Sequence, residues 1–290
     1  MFGKGDSLKN RACYHYCSSC MSLPTISARG KTIHDVYRKW GVPEKFLHGD
    51  VMPASEFLEL LGAIQGRIPG MDSRVMPSSF NPDDPALCAF PYHKTAGWNS
   101  CERVLRDSST HGVMMRLPLF WQVEPNLFSA CQAAGAFIFI NDADNMPLGA
   151  AAVRDARIDA IMTDAPDAHA FAQYLLEKKS GMAKTWIIVH TPHKDIRPIS
   201  QILKEPHVRV AQEVHVFPGV PVLEQCAFLE KTKEALFHVS GSYEYEKTEN
   251  SLALTSNDAA PLPFFRYKLP LPLYEGGQCA CGKAIFVAAH

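Results

Sequence analysis

Between residues 86 and 205, short apolar runs alternate with stretches of helical period, and this alternation sets the expected architecture. Residues 86–90 form a first apolar run, followed by a loop and a helix over 100–110. A strand is expected at 113–117. Residues 126–134 read as a helix closed by Gly135, and 136–140 is the most apolar strand of the chain. Pro147 stands where a first-turn proline belongs, ahead of an alanine-rich helix to Ala156. Strands follow at 159–163 and 186–190, with a helix at 168–178 between them. Helices and strands alternating at this length predict an α/β fold with a mostly parallel sheet covered by helices. Beyond 206 the helical period fades. Runs at 208–216, 235–239, 242–246, 251–255 and 264–267 read as short strands, so a β-rich C-terminal subdomain is expected.

The first 78 residues differ in texture. Helices are expected at 32–40, stopped by Gly41 and Pro43, and at 55–65, where Ser55 is an N-cap and Phe57, Leu58, Leu60, Leu61 and Ile64 form a buried face. Residues 66–85, rich in Pro, Gly, Ser and Asp, read as a connection. The expected organisation is a helical, Cys/His-rich segment at 1–78, an α/β subdomain at 79–205 and a β-rich subdomain at 206–290. With 47% apolar residues, the 290-residue chain can bury a full core. A net charge of −1 gives no basic field for nucleic acid or an anionic membrane. Apolar stretches such as 133–140 fall well short of the roughly 20 residues that cross a bilayer. No apolar leader follows Met1. The nine cysteines then read as reduced thiols or metal ligands, and the expected compartment is the cytoplasm.

Three segments resemble adenylate-forming (AMP-binding) ligases, most closely the phenylacetate–CoA ligase branch and its acyl-protein synthetase relatives. The first is Asp84-Pro85-Ala86-Leu87-Cys88-Ala89-Phe90 with Tyr92-His93-Lys94-Thr95-Ala96-Gly97, similar to that family's phosphate-holding strand and loop. The second runs from Leu127 to Ile140 and continues through Ile158-Asp159-Ala160-Ile161-Met162-Thr163 and Pro166. The third is the ordered set Glu224-Gln225-Cys226, Phe237-His238, Tyr245-Glu246, Leu252-Ala253-Leu254-Thr255, Pro263-Phe264-Phe265-Arg266-Tyr267 and Cys279-Ala280-Cys281-Gly282. The resemblance spans roughly residues 80–290 and implies use of ATP or AMP with magnesium to activate a carboxylic acid. It places Thr95 and Gly97 at the phosphates, and Arg266 and Tyr267 beside the nucleotide.

The departures bear on activity. Small residues let backbone N–H groups approach an anion at a helix start, yet Lys94 stands where the family has glycine. Asn99-Ser100 replaces the lysine that follows the loop. The family's Arg-Tyr leads into Thr-Gly-Asp, whose carboxylate holds the ribose, whereas this chain reads Arg266-Tyr267-Lys268-Leu269-Pro270. The family's mobile lid, with its catalytic lysine, would begin about where this sequence ends. Two functions are therefore expected to compete: a carboxylate-activating ligase, and a non-catalytic relative that binds a ligand or protein partner.

Metal chemistry has one leading candidate. Cys226, His238, Cys279 and Cys281 make a Cys₃His set, a usual structural donor set for zinc. The resembled family places the stretch bracketed by Cys226 and His238 beside the Cys279–Cys281 turn, and some members bind zinc there. The alternative is two exposed thiols, a buried cysteine and a core histidine. Zinc would also steady 268–278, where Pro270, Pro272 and Gly276-Gly277 promise little ladder hydrogen bonding. Cys13, His15, Cys17 and Cys20 form a second cluster without a matching half. Asp142 and Asp144, after an apolar strand, mimic the metal-binding pair of nucleotide-sugar glycosyltransferases, although a polar βα loop capped by Pro147 is the preferred reading. His190-x-x-His193 lacks the helical glutamate of a protease motif, and no G-x-S-x-G elbow supports a hydrolase.

Overall fold

The computed structural model describes residues 51–53, 56–57, 59–60, 71–77, 85–91, 98–118, 125–192, 196, 206–217, 219–232, 234–256, 264 and 266–288. Two strands, β1 (Met71–Pro77) and β2 (Pro85–Pro91), pair antiparallel as a separate ribbon. The 66–85 stretch is therefore not only a connection: the alternating Met-Asp-Ser-Arg-Val-Met run inside it is a strand. Five strands then form a parallel array in the order β4-β3-β5-β6-β7. These are β3 (Gly112–Arg116), β4 (Phe137–Ile140), β5 (Ala160–Asp164), β6 (Thr185–His190) and β7 (Arg209–Phe217).

Helices cover both faces of this array, as the alternation predicts. On one face, α1 (Asn99–Asp107) and α2 (Pro125–Ala133) bury Cys101, Val104, Leu105, Leu127 and Cys131 against Val113, Met115 and Met162. On the other, α3 (Met146–Asp155) and α4 (Ala165–Lys178) bury Ala150, Phe171, Ala172 and Leu175 against Met114, Ile161 and Trp186. Asn145 caps α3 by accepting from Leu148 N–H (3.3 Å), and the proline of the following residues sits in its first turn. Asp164 likewise caps α4 through Asp167 N–H (3.0 Å).

At β7 the sheet changes direction but does not end. Antiparallel strands β8 (Val220–Glu224) and β9 (Leu236–Val239) follow, the latter after a one-turn helix, α5 (Ala227–Glu230). A three-stranded antiparallel sheet comes next, made of β10 (Tyr243–Lys247), β11 (Leu252–Ser256) and β12 (Tyr267–Lys268). The chain then returns to the main sheet as β13 (Leu273–Gln278) and β14 (Ala284–Ala288), with β14 inserted against β9. The main sheet thus has nine strands in the order β13-β14-β9-β8-β7-β6-β5-β3-β4. The expectation of scant ladder bonding at 268–278 fails, because β13 pairs with β14 along its length and absorbs its glycines in a bulge between Glu275 and Gly277.

In open α/β sheets a ligand crevice forms where neighbouring strands send their connections to opposite faces. Here that point lies between β3, which leads into α2, and β5, which leads into α4. A buried ion pair fills it. Arg116, at the end of β3, is 1% exposed. Its Nε donates to Asp167 Oδ2 (2.9 Å) and its Nη2 to Asp167 Oδ1 (2.8 Å) and Ala143 O (2.7 Å). Nη1 donates to Asn141 Oδ1, the guanidinium lies 3.9 Å from the Phe171 ring centroid, and Thr163 Oγ1 donates to Asp167 Oδ2 (2.6 Å). Gly149 is required beside this group, since a Cβ there would stand 2.6 Å from Asn141 Oδ1 and 3.0 Å from Arg116 Nη1.

A second buried polar chain crosses the sheet. His190 Nε2–H donates to Gln212 Oε1 (3.0 Å), because the Gln212 amide nitrogen is already committed to Glu234 O (3.0 Å). Gln212 N–H donates to Gln225 Oε1 (2.9 Å), and Gln225 Nε2 donates to Glu234 O (2.7 Å) and Leu236 O (3.0 Å). Burial pushes the His190 imidazole down to about 4; the bond to Gln212 opposes this, and the His169 and His215 charges add to it.

Two outcomes follow from these networks. Arg116→Leu leaves Asp167 buried and unpaired, so it is expected to cost about 3–5 kcal/mol in urea unfolding, with part recovered by adding Asp167→Asn. His190 titrates near 6.5 when unfolded and about 4 when folded, so the unfolded chain takes up the extra proton as pH falls. Stability is expected to decline from pH 6.5 towards 4 by up to roughly 3 kcal/mol from this group, then level off. The urea midpoint of His190→Gln should fall less across that window than that of the wild type.

Candidate metal centre

Cys226 caps the single turn of α5 with extended backbone, and its carbonyl accepts from Glu230 N–H (3.0 Å). That turn is anchored by Glu230, which is buried and held between two arginines. Arg103 Nη2 from α1 lies 2.7 Å from Oε1, and Arg209 Nε from β7 lies 2.7 Å from Oε2. Arg103 Nη2 also donates to Gln225 O (3.2 Å). Gln225 itself closes the loop from 225 to 236 through its side chain, which returns the chain to β9 and sets His238 opposite Glu224.

Cys279 and Cys281 flank the turn between β13 and β14. Cys279 N–H donates to Lys283 O and Gly282 N–H to Cys279 O, both at 2.9 Å. Gly282 has φ of +87°, the left-handed backbone that closes this turn without a Cβ clash. Because β14 pairs with β9, the turn arrives beside Cys226 and His238.

The donor atoms of Cys226, His238, Cys279 and Cys281 all lie within 4.8 Å of one another. Cys226 Sγ is 3.7 Å from Cys279 Sγ and 3.4 Å from His238 Nε2, and Cys281 Sγ is 3.2 Å from His238 Nε2. A tetrahedron with metal–sulfur bonds of 2.3 Å and a metal–nitrogen bond of 2.0–2.1 Å has S···S edges of about 3.8 Å and S···N edges of about 3.6 Å. A disulfide would bring sulfurs to about 2.05 Å. The three edges given lie within about 0.4 Å of these values, so the four donors are compatible with a tetrahedral metal site.

The histidine tautomer also suits a ligand. His238 Nδ1–H donates to Ala284 O at 2.7 Å, which turns the Nε2 lone pair towards the thiols. His238 is buried, Cys279 is 8% exposed, Cys226 is half-buried, and Cys281 faces solvent. Partial desolvation pushes the Cys281 thiol up, but hydrogen bonds from the Lys283 backbone and the neighbouring thiols outweigh it and hold the thiol below its ordinary range. Cys279 is drawn down by the Cys281 backbone, yet desolvation and the other two thiols leave it raised.

The other expected site residues lie elsewhere. Arg266 sits before β12 with φ of +47°, held there because its N–H donates to Thr255 Oγ1 (3.2 Å) and its carbonyl accepts from Met52 N–H (2.9 Å). Its guanidinium makes a two-pronged pair with Glu246, 3.2 Å on each arm. Tyr267 is fully buried; Phe264 stacks on it at 4.6 Å and Phe57 meets it edge-on at 5.1 Å. In this arrangement neither ring face of Tyr267 is open to a nucleotide. Asp142 and Asp144 are exposed, Asp142 Oδ1 accepts from Asp144 N–H (3.2 Å), and the Asp142 carbonyl accepts from Arg116. Thr95 and Gly97, the Cys13–Cys20 cluster and His193 lie outside the described residues. Sequence reasoning missed the Arg116–Asp167 and Glu230–arginine groups. Arginines beside short apolar strands were the only signal for them.

Among the described residues no helix is long and apolar enough to cross a membrane. No family model and no curated protein matches the chain. Solved structures do. 2-Hydroxyisobutyryl-CoA ligase, in its postadenylation state with 2-HIB-AMP, superposes with a TM-score of 0.55 at 12% identity over 86% of this chain and 61% of its own. The N-terminal domain of FACL13 from Mycobacterium tuberculosis gives 0.54 at 10% identity over 82% and 66%. VinN with L-aspartate gives 0.54 at 11% over 80% and 66%. The chain thus spans about 61% of the first of these ligases. Likeness at such identity is likeness of fold: the chain has the α/β fold of the adenylate-forming ligases.

Proposed function

We propose that this protein is a carboxylate-activating, AMP-forming ligase-type scaffold of the phenylacetate–CoA ligase-like kind, stapled by one structural zinc and weakened in its hold on the nucleotide. The observation that carries the ligase reading is the shared fold over 86% of the chain with a ligase solved holding an acyl-adenylate. A fold hosts many activities, so the reading also leans on the ordered segments from Glu224 to Gly282. ATP or AMP with magnesium is the expected nucleotide and a carboxylic acid the expected substrate.

A second reading, a non-catalytic relative that binds a ligand or a protein partner, is favoured by one specific arrangement. Arg266 is paired with Glu246 and Tyr267 is enclosed by Phe57 and Phe264, and no acid follows them in Lys268-Leu269-Pro270. Losing a charge-assisted contact to the ribose costs about 1.5–3 kcal/mol, or roughly ten- to a hundred-fold in affinity.

Zinc would be held by Cys226, His238, Cys279 and Cys281, whose edges fit its tetrahedron. Four protein donors leave no open position, so the ion supplies folding energy rather than reactivity. What the chain's own residues do is bring β9 and the β13–β14 turn together.

Three outcomes test these statements. Calorimetry with AMP and with ATP–Mg²⁺ is expected to give dissociation constants weaker than micromolar; tighter binding would contradict the eroded grip. Pyrophosphate release across a panel of aryl and fatty acids separates the two functions. Acid-dependent release supports the ligase, and its absence alongside measurable AMP binding supports the non-catalytic relative. Metal analysis is expected to find about one zinc per chain, lost in Cys279→Ser and Cys281→Ser with a lowered melting temperature, and retained in Cys101→Ser and Cys131→Ser. A metal-free wild type of unchanged stability would leave the four donors as an ordinary polar cluster.

A further inference from the structure

The four candidate donors come from two separately held segments, and three of them are thiols. Cys226 stands ahead of α5, where its carbonyl accepts from Glu230 N–H (3.0 Å) and Glu230 is gripped by Arg103 and Arg209. Cys279 and Cys281 stand on the β13–β14 turn, which Cys279 N–H to Lys283 O and Gly282 N–H to Cys279 O close at 2.9 Å each. Such a set holds zinc only while its sulfurs are reduced, since a sulfur in a disulfide has no thiolate to give. What oxidation does here depends on which two sulfurs join.

The geometry favours the pair that spans the two segments. Cys226 Sγ and Cys279 Sγ are 3.7 Å apart, near van der Waals contact. A disulfide needs about 2.05 Å, so about 1.7 Å remains to be closed, within the sweep of one χ1 rotation. A bond between Cys279 and Cys281 would instead bridge the single residue Ala280, against the two hydrogen bonds that close the turn. Cys226 is half-buried, so a small oxidant reaches one member of the spanning pair, and Cys279 waits beside it in a more buried position.

We propose that this centre is a redox switch with two ties: zinc when its thiols are reduced, and a Cys226–Cys279 disulfide when they are oxidised. The oxidant is a small disulfide of the glutathione class. The Cys226 thiolate attacks one glutathione sulfur, the glutathione S–S bond breaks, and one glutathione thiolate leaves. The Cys279 thiolate then attacks the Cys226 sulfur, which forms the protein disulfide and expels the second glutathione. The two protein thiolates give up two electrons, and both glutathione thiolates take protons from solvent. Only His238 and Cys281 remain as donors, too few for a structural zinc site, so the ion departs. The β13–β14 turn stays fastened to the segment ahead of α5, by a covalent bond in place of the metal. The departure of zinc rests on the zinc reading above; the disulfide rests on the sulfur positions alone.

The test treats the full chain with oxidised glutathione, follows zinc release with a chromogenic chelator, and maps cross-links by tandem mass spectrometry. One zinc is expected to leave for each Cys226–Cys279 bond formed, and dithiothreitol with added zinc should restore the starting state. Melting gives an independent readout. The oxidised, zinc-free chain is expected to melt at least about 4 °C above reduced protein stripped by a chelator, because a cross-link between distant residues constrains the unfolded chain. The joined residues here lie 53 apart in sequence. Cys226→Ser should gain no such rise. Cys281→Ser keeps both partners, so it is expected to form the same bond whether or not it holds metal. A wild type that is zinc-free as purified yet forms the bond refutes the zinc reading and supports the disulfide. A Cys279–Cys281 bond, glutathione retained on Cys226 without a cross-link, or an oxidised chain that melts no higher than the stripped one overturns the proposal.

Discussion

β7 is the strand on which both halves of the sheet depend. It pairs parallel with β6 and antiparallel with β8, and from Val210 to Phe217 it is buried. A strand enclosed on both faces ordinarily carries only apolar side chains, yet this one holds Gln212, Glu213 and His215. An orphaned buried polar group costs about 1–3 kcal/mol, so the surrounding chain must supply partners. Gln212 takes His190 and the 225–234 loop; Glu213 takes Ser100 and His215 Nε2 (2.7 Å), with Trp98 packed on the imidazole at 4.7 Å. Two of these partners also hold segments of the candidate metal centre. The Gln225 loop delivers Cys226, and α1 delivers Arg103 to the Glu230 anchor. The donor set is thus placed by a polar network that begins in the middle of the sheet.

The same logic explains why the crevice between β3 and β5 is closed. Arg116 has acceptors for all three of its nitrogens without solvent, which offsets the desolvation cost that an isolated guanidinium would bear in full. What could have been an anion site is an internal brace joining β3, the loop after β4 and the start of α4. The candidate chemistry lies instead at the antiparallel half of the molecule.

Much of the parallel half was legible because period and punctuation agree there. Gly135, Pro147 and the alanine-rich run bound their elements within a residue or two of where they lie. The antiparallel half was harder. β13 hides behind Pro270, Pro272 and a glycine pair, and β1 behind a stretch rich in turn residues, because a bulge or ribbon tolerates what a regular strand does not. Residues 226 and 279 are far apart in sequence, and only the β14–β9 pairing joins them, so spacing could not reveal the donor set; the family resemblance did. Tyr267 was expected beside a nucleotide, but a tyrosine between Phe264 and Phe57 is held by ring packing that no local pattern records.

The insertion of β14 between β9 and β13 has a consequence for how the chain is made. During synthesis β9 emerges roughly fifty residues before β14, the strand that will cover its outer side. At ribosomal speeds of about 5–20 residues per second, that edge stays open for some 3–10 s. The nascent chain therefore passes through a stage with a nearly complete sheet, one bare flank, and Cys226 and His238 waiting without their partners. Capture of the β13–β14 hairpin by that flank covers β9 and brings Cys279 and Cys281 to Cys226 and His238. During that interval the β9 edge can pair with stray strands.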